Sequence, residues 1–462
     1  MLRCTRFLIP VVFVGCGRTG LEAELPIVPL RDDAGPTWDA TIEREASPPH
    51  PCPDAARTDP LGTVLWKTTL TTSSDVHYLF GPLAADSSGA TYYVYDPSIF
   101  SQPGEPSLIS LDACGNVRWR VPWHHPEVRY VRVYLMVSGQ RLIAHYADVE
   151  AFDLETGAHL WTADVADLVG SSESVLDTPV AAADGVVYLT ATDYFGTEAK
   201  EEIVAIDPNG VPKVLVSVPN VKATMITTDL ILDSRGRLDL GLTGSNVFLT
   251  AGTPGTIHTF RRDGTLEFTT PVPNLTPSSF LMSGPGIVLN EASGTMLEPD
   301  GRVVGQLGAR AVWSAVMDAQ RNIFAITAGD GPVVTTFDPT GSVRWKSAPF
   351  RDAPLNDPGA GPILGDGTHV FFVANLGRSA SSSAVWTPTV AAIDVDTGTQ
   401  TTMWPFEGSP PISLVLTPLA QLVFTVGTDV VALSSGGERP PTDAPWPTAR
   451  GAIDQRSAAL GQ

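Results

Sequence analysis

The chain has 462 residues, of which 43% are hydrophobic and 17% charged, with 42 glycines and 40 prolines. That composition is too apolar for a disordered polypeptide, and it shows too many turn residues and too little 3.6-residue periodicity for a helical one. The 29 basic against 50 acidic residues give a formal charge of −21, which repels phosphate backbones and excludes nucleic acid from the expected partners.

At the N-terminus, Arg3 and Arg6 precede an apolar run, 7–14, that is too short to span a bilayer but has the length of a signal-peptide core. The run ends in Gly15-Cys16, which resembles a bacterial lipobox, with Cys16 as the lipidated first residue of the mature chain. Gly17 resembles the outer-membrane sorting pattern. The expected location is therefore the outer membrane, reached through a lipid anchor alone. The alternatives are cleavage and release as a soluble periplasmic or secreted protein, and a cytosolic start. Residues 1–16 are read as the signal and 17–58, rich in Pro, Asp and Glu, as a flexible tether. Of four cysteines, Cys4 and Cys16 fall in or at the signal. Cys52 and Cys114 remain, either as a disulfide or as two unrelated thiols.

From residue 59 onward short strands alternate with Asp/Gly turns, and one unit recurs. "LDACGNVRW" places Asp112, Gly115 and Trp119 at a spacing repeated by Asp59, Gly62 and Trp66, and by Asp338, Gly341 and Trp345. "AFDLETGAHLW" (Asp153, Gly157, Trp161) and "AIDVDTGTQTTMW" (Asp394, Gly398, Trp404) are the same unit with longer turns. Weaker copies stand at Asp207, Arg261, Glu298 and Ser434. The aspartates are read as acceptors for amides of their own tight turns and the glycines as the positive-φ residue that closes them. The tryptophans are read as filling between neighbouring units. Copies stand roughly 40 to 55 residues apart, room for four strands each, which predicts a β-propeller rather than a solenoid.

The first copy has only an outer strand and the last lacks one. An all-β, eight-bladed propeller of four-stranded antiparallel blades is therefore expected over 59–440, with a C-terminal tail at 441–462. The stretch 62–70 should close the ring as the outermost strand of the blade formed by 412–434. Closure would bring the residues upstream of Asp59 beside the Cys114 turn and favour the Cys52–Cys114 bond.

The pattern apolar-Asp-x-x-Thr-Gly-x-x-x-Trp, clearest at 149–161 and 390–404, resembles the repeat of pyrroloquinoline-quinone-like propellers, the quinoprotein alcohol dehydrogenase-like superfamily, in a bacterial lipoprotein member. The resemblance implies either a quinone-dependent dehydrogenase or a non-enzymatic propeller lipoprotein of the kind that assists outer-membrane barrel assembly. The dehydrogenases resembled carry an adjacent Cys-Cys disulfide and a calcium site, and the sequence has neither a Cys-Cys pair nor a D-x-[DN]-x-[DN]-G loop. No cofactor, metal or catalytic residue is therefore assigned. The expected role is a monomeric binding or scaffold module for a protein or glycan, with a secreted quinone- or metal-dependent oxidoreductase as the alternative.

Three other stretches carry candidate residues. His124, His125 and Glu127 could ligate a transition metal, but neighbours on a strand point to opposite faces, so a loop is the simpler reading. The charged "FGTEAKEE", 195–202, reads as a solvated loop. The polar loop 375–389, bearing Arg378 and Trp386, is the best candidate for recognition, because long loops on rigid scaffolds carry binding.

Overall fold

The computed structural model describes residues 58–70, 80–95, 106–123, 134–145, 148–169, 175–176, 179–192, 201–218, 230–233, 235–243, 255–272, 281–284, 287–290, 294–298, 302–307, 312–327, 333–347, 362–376, 387–405, 414–426 and 428–442. All lie in the compact unit Ile42–Gln462. After β1 (Val64–Thr69), the first sheet is β2 (Phe80–Ala85), β3 (Thr91–Tyr95), β4 (Ser107–Leu111) and β5 (Val117–Pro122). The second is β6 (Tyr134–Ser138), β7 (Arg141–His145), β8 (Val149–Asp153) and β9 (His159–Ala163), followed by the one-turn helix α1 (Val165–Val169). The third is β10 (Val175–Leu176), β11 (Val180–Ala181), β12 (Val187–Thr192), β13 (Glu201–Ile206) and β14 (Pro212–Val218). The fourth is β15 (Ile231–Leu232), β16 (Leu238–Thr243), β17 (Gly255–Phe260) and β18 (Leu266–Val272), and the fifth is β19 (Leu281–Gly284), β20 (Ile287–Asn290), β21 (Thr295–Leu297) and β22 (Val303–Gln306). The sixth is β23 (Val312–Met317), β24 (Ile323–Thr327), β25 (Val333–Phe337) and β26 (Val343–Lys346), and the seventh is β27 (Ile363–Leu364), β28 (His369–Leu376), β29 (Thr387–Asp394) and β30 (Gln400–Pro405). The last joins β31 (Leu414–Leu416), β32 (Gln421–Val426) and β33 (Asp429–Ser434) to β1.

The molecule is an all-β propeller of four-stranded antiparallel blades, with one correction to the expected eight uniform blades: seven blades have four strands, and the remaining sheet has five. The exception has a local cause. Leu176 pairs with Ala191 and Val180 with Tyr188, both on β12. Pro179 carries no N–H for the ladder, and the innermost position is divided into β10 and β11 on its N-terminal side.

Closure follows the sequence-based expectation. Thr68 pairs with Val430 and Val64 with Leu433 in the antiparallel register of β1 on β33. Gly62 N–H to Ser434 O and Leu70 N–H to Thr428 O extend the pairing at both ends. The core lies between sheets rather than inside any one. Trp119, Tyr92, Leu108 and Phe152 pack between the first and second sheets, and Val415, Val430, Tyr93 and Ile109 between the last and the first. Each sheet thus buries two apolar faces against its neighbours, which explains why strands such as β4, β24 and β32 read as near-continuous apolar runs.

Candidate functional site

The repeated residues that could carry chemistry are first placed by their local turns. Asp112 Oδ1 accepts from the amides of Cys114 and Asn116 at 2.8 and 2.9 Å. Asp338 does the same with Thr340 and Ser342, and Asp207 with Asn209 and Val211. In the longer turns Asp153 accepts from Thr156 N and Oγ1, and Asp394 from Thr397 N and Oγ1. The Thr156 side-chain hydrogen bond holds Asp153 below the ordinary carboxyl value, and the Thr397 amide bond does so at Asp394. These carboxylates are engaged by their own backbones.

The tryptophans join each sheet to the next. Trp66, Trp119, Trp161 and Trp345 each donate the indole N–H to a carbonyl in the following sheet's outer turn: Ala113, Leu154, Pro208 and Val395, at 2.9, 3.0, 3.2 and 2.9 Å. The ring then lies on the glycine of that turn. At Gly115 (φ 81°) a Cβ would sit 2.5 Å from Trp66, and at Gly157 (φ 72°) 2.8 Å from Trp119, so the glycine is required both by the backbone and by the approaching indole. The packing role read from the sequence is what these residues perform.

Antiparallel alternation puts the Asp turns on one face of the ring and the junctions between second and third strands on the other. At those junctions in the second and third sheets, polar side chains are buried. His145, the last residue of β7, is fully buried, stacks on Tyr134 with centroids 5.7 Å apart, and has no hydrogen-bond partner on either ring nitrogen among the described residues. Burial pushes its pKa down to about 3, so the imidazole is neutral and able to donate at one nitrogen and accept at the other. Nearby on β8, Glu150 Oε2 accepts the indole N–H of buried Trp123 at 2.6 Å. On the third sheet Glu202 accepts from Ser217 Oγ at 2.9 Å through Oε1 and leaves Oε2 unpaired among the described residues. No three His, Cys, Asp or Glu side chains gather as a cation site among the described residues.

Two expectations are corrected here. Glu201 and Glu202, assigned to a solvated loop, begin β13 and are buried, because β12 and β13 pair out to Thr192–Glu201. The recognition loop 375–389 is shorter than expected, since Asn375 pairs with Pro388 and Leu376 with Thr387, which leaves 377–386 as the connection. Arg378 and Trp386 fall within that connection and, like Cys16, Cys52, His124, His125 and Glu127, lie outside the described residues. Cys114 is disulfide-bonded and half-buried at its turn. Sequence reasoning missed His145 and Glu150, whose only signal is a polar residue at the end of an apolar strand.

These features define a β-propeller of antiparallel blades. Residues 54–213 match the family model described as "Outer membrane protein assembly factor BamB". No curated protein matches the chain by sequence. Among solved structures, a europium-containing methanol dehydrogenase is 13% identical with a TM-score of 0.54, covering 79% of this chain and 84% of that one. The quinohemoprotein alcohol dehydrogenase from Comamonas testosteroni is 11% identical with a TM-score of 0.52, covering 82% and 77%. Sqt1 from Chaetomium thermophilum is 11% identical with a TM-score of 0.50, covering 81% and 99%. At such identities the likeness is one of fold.

Proposed function

We propose that the protein is a non-catalytic cell-envelope propeller that serves as a binding or scaffold module for a protein or glycan. The observation that carries this reading is how the repeated Asp and Trp residues are used: the aspartates accept from their own turns, and four indoles each donate to the neighbouring sheet. Those residues build a rigid ring, and function is left to what the ring presents. The match of residues 54–213 to an outer-membrane assembly factor family supports an envelope role of the same kind. In this reading Cys16 carries the lipid, 17–58 is the tether, Cys52 is the partner of Cys114, and Arg378 and Trp386 belong to the recognition surface. The protein is a monomer.

The experiment has two parts. Growth with a labelled fatty acid should tag the wild type and leave Cys16→Ser unlabelled; unlabelled soluble wild-type protein overturns the anchor. Protein purified from the envelope should be colourless and free of stoichiometric calcium by elemental analysis, and a photo-crosslinker at position 378 or 386 should give one discrete adduct in cells. A quinone absorption band, with alcohol-dependent dye reduction, would instead establish the oxidoreductase alternative, which the two dehydrogenase folds keep in view.

A further inference from the structure

Immediately beyond β33, residues 435–441 stay on the ring. Residues 435–439 cross to the turn between β27 and β28 of the seventh sheet, and the contact is dense. Glu438 Oε1 accepts from Thr368 N, Thr368 Oγ1 and His369 Nδ1 at 3.0, 3.0 and 2.5 Å, while Oε2 lies 3.2 Å from His369 N. Arg439 and Asp366 exchange a reciprocal pair, Asp366 N–H to Arg439 O at 2.7 Å and Arg439 N–H to Asp366 Oδ1 at 2.9 Å. A Cβ on Gly365 or Gly367 would meet the Glu438 side chain. Ser435 Oγ, 2.5 Å from Glu438 O, fixes the crossing from inside, and Pro440 and Pro441 are buried just beyond it.

We propose that residues 435–441 are a second closure of the ring, independent of β1: a strap whose working group is the Glu438 carboxylate, held in a carboxylate receptor formed by residues 365–369. Two amides, a hydroxyl and an imidazole converge on one carboxylate, with two glycines clearing the space for it. Charge-assisted hydrogen bonds of this kind are stronger than neutral ones, and the carboxylate is only 12% exposed. The strap joins the seventh sheet to the last, on the side opposite the β1 contact with the first. The two closures therefore hold different seams.

Hydrogen exchange on the full chain separates them. Lys67→Ala with Thr69→Ala removes both side-chain contacts of β1 to Asp429, and should speed exchange in β1 while Thr368 and His369 stay protected. Glu438→Ala should speed exchange at the Thr368 and His369 amides at least tenfold and leave β1 unchanged. Molar sodium acetate, but not sodium chloride at equal ionic strength, should slow those two amides again in Glu438→Ala. Unchanged exchange at both amides overturns the strap, and equal effects of acetate and chloride overturn the receptor. If Glu438→Ala does not accumulate, Glu438→Gln, which keeps the shape and one acceptor oxygen, makes the first comparison: wild-type protection at both amides overturns the proposal.

Discussion

A single indole shows how this fold distributes its stability. Trp119 is 1% exposed, and among the described residues its side chain is linked across the seam by the N–H bond to Leu154 O. Trp119→Phe keeps the packing and orphans a carbonyl, so a loss of about 1–2 kcal/mol is expected; Trp119→Ala should cost about 3–5 kcal/mol. Urea midpoints read both, and a Trp119→Phe chain as stable as the wild type would show that the hydrogen bond contributes nothing. Asp239 supplies the opposite case. It is fully buried on β16, accepts from Thr259 Oγ1, and leaves Oδ2 unpaired among the described residues. Burial, then the nearby Asp233 charge, pushes its pKa up to about 7 from 3.8, against the opposing pull of Thr259 and Arg237. A raised carboxyl pKa means the folded state keeps its proton to higher pH than the unfolded chain. This contribution is therefore full below the ordinary value and lost as pH rises through about 7, a change on the order of 4 kcal/mol. Asp239→Asn carries no charge, so its stability relative to wild type should rise between pH 5 and pH 8. A constant difference across that range would refute the assignment.

An element here is a hairpin together with the outer strand of the sheet before it. Gly157→Ala tests that pairing, because the methyl must take a φ of 72° and enter the ring of Trp119. The positive φ alone costs about 1–2 kcal/mol, so a loss of about 2–4 kcal/mol is expected, and Trp119→Ala in the same chain should recover the steric part. Strict additivity of the two losses would show that ring and turn are not coupled. The same coupling explains what was legible in the sequence. Asp112, Gly115 and Trp119 lie within eight positions of one another, and two further copies repeat the spacing, so turn and anchor can be read together. Other features depend on partners far away. Glu438 means nothing until residue 369 is beside it, Asp239 reads as a routine turn-flanking acid until burial is known, and His145 looks like any polar strand end. The split of β10 from β11 was missed for a different reason: a Pro in a strand signals disruption, but not whether the strand ends or bulges. Where the repeat weakens, the anchor changes too. Phe268 and Gly305 occupy the tryptophan position opposite Thr259 and Met296, and Gly305 lets the next sheet's turn approach as backbone.

At the scale of the molecule, the decisive contact is between the first and the last of the described strands. Thr69 Oγ1 bonds Asp429 across a sequence separation of 360 residues, and Trp66 and Thr68 on the same strand grip the Cys114 turn of the first sheet. Deleting residues 58–70 would expose the edge of β33, an invitation to pair with another chain. The loss should exceed the roughly 3–5 kcal/mol of a Trp→Ala change, with oligomers in light scattering. A synthetic 58–70 peptide should restore the monomer; a truncated chain that stays monomeric and as stable as the full one would refute the closure. Among the described strands β1 is the first to leave the ribosome, while its partner β33 is the last. During synthesis, and during any passage through a membrane that starts from the N-terminus, this strand must travel unpaired, with its apolar side chains open to proteases and to other chains. The short strand, flanked by Pro60 and interrupted by Lys67, is suited to that wait. Docking it is a long-range loop closure that must await β33, so the arrival of the closed ring is timed by that strand.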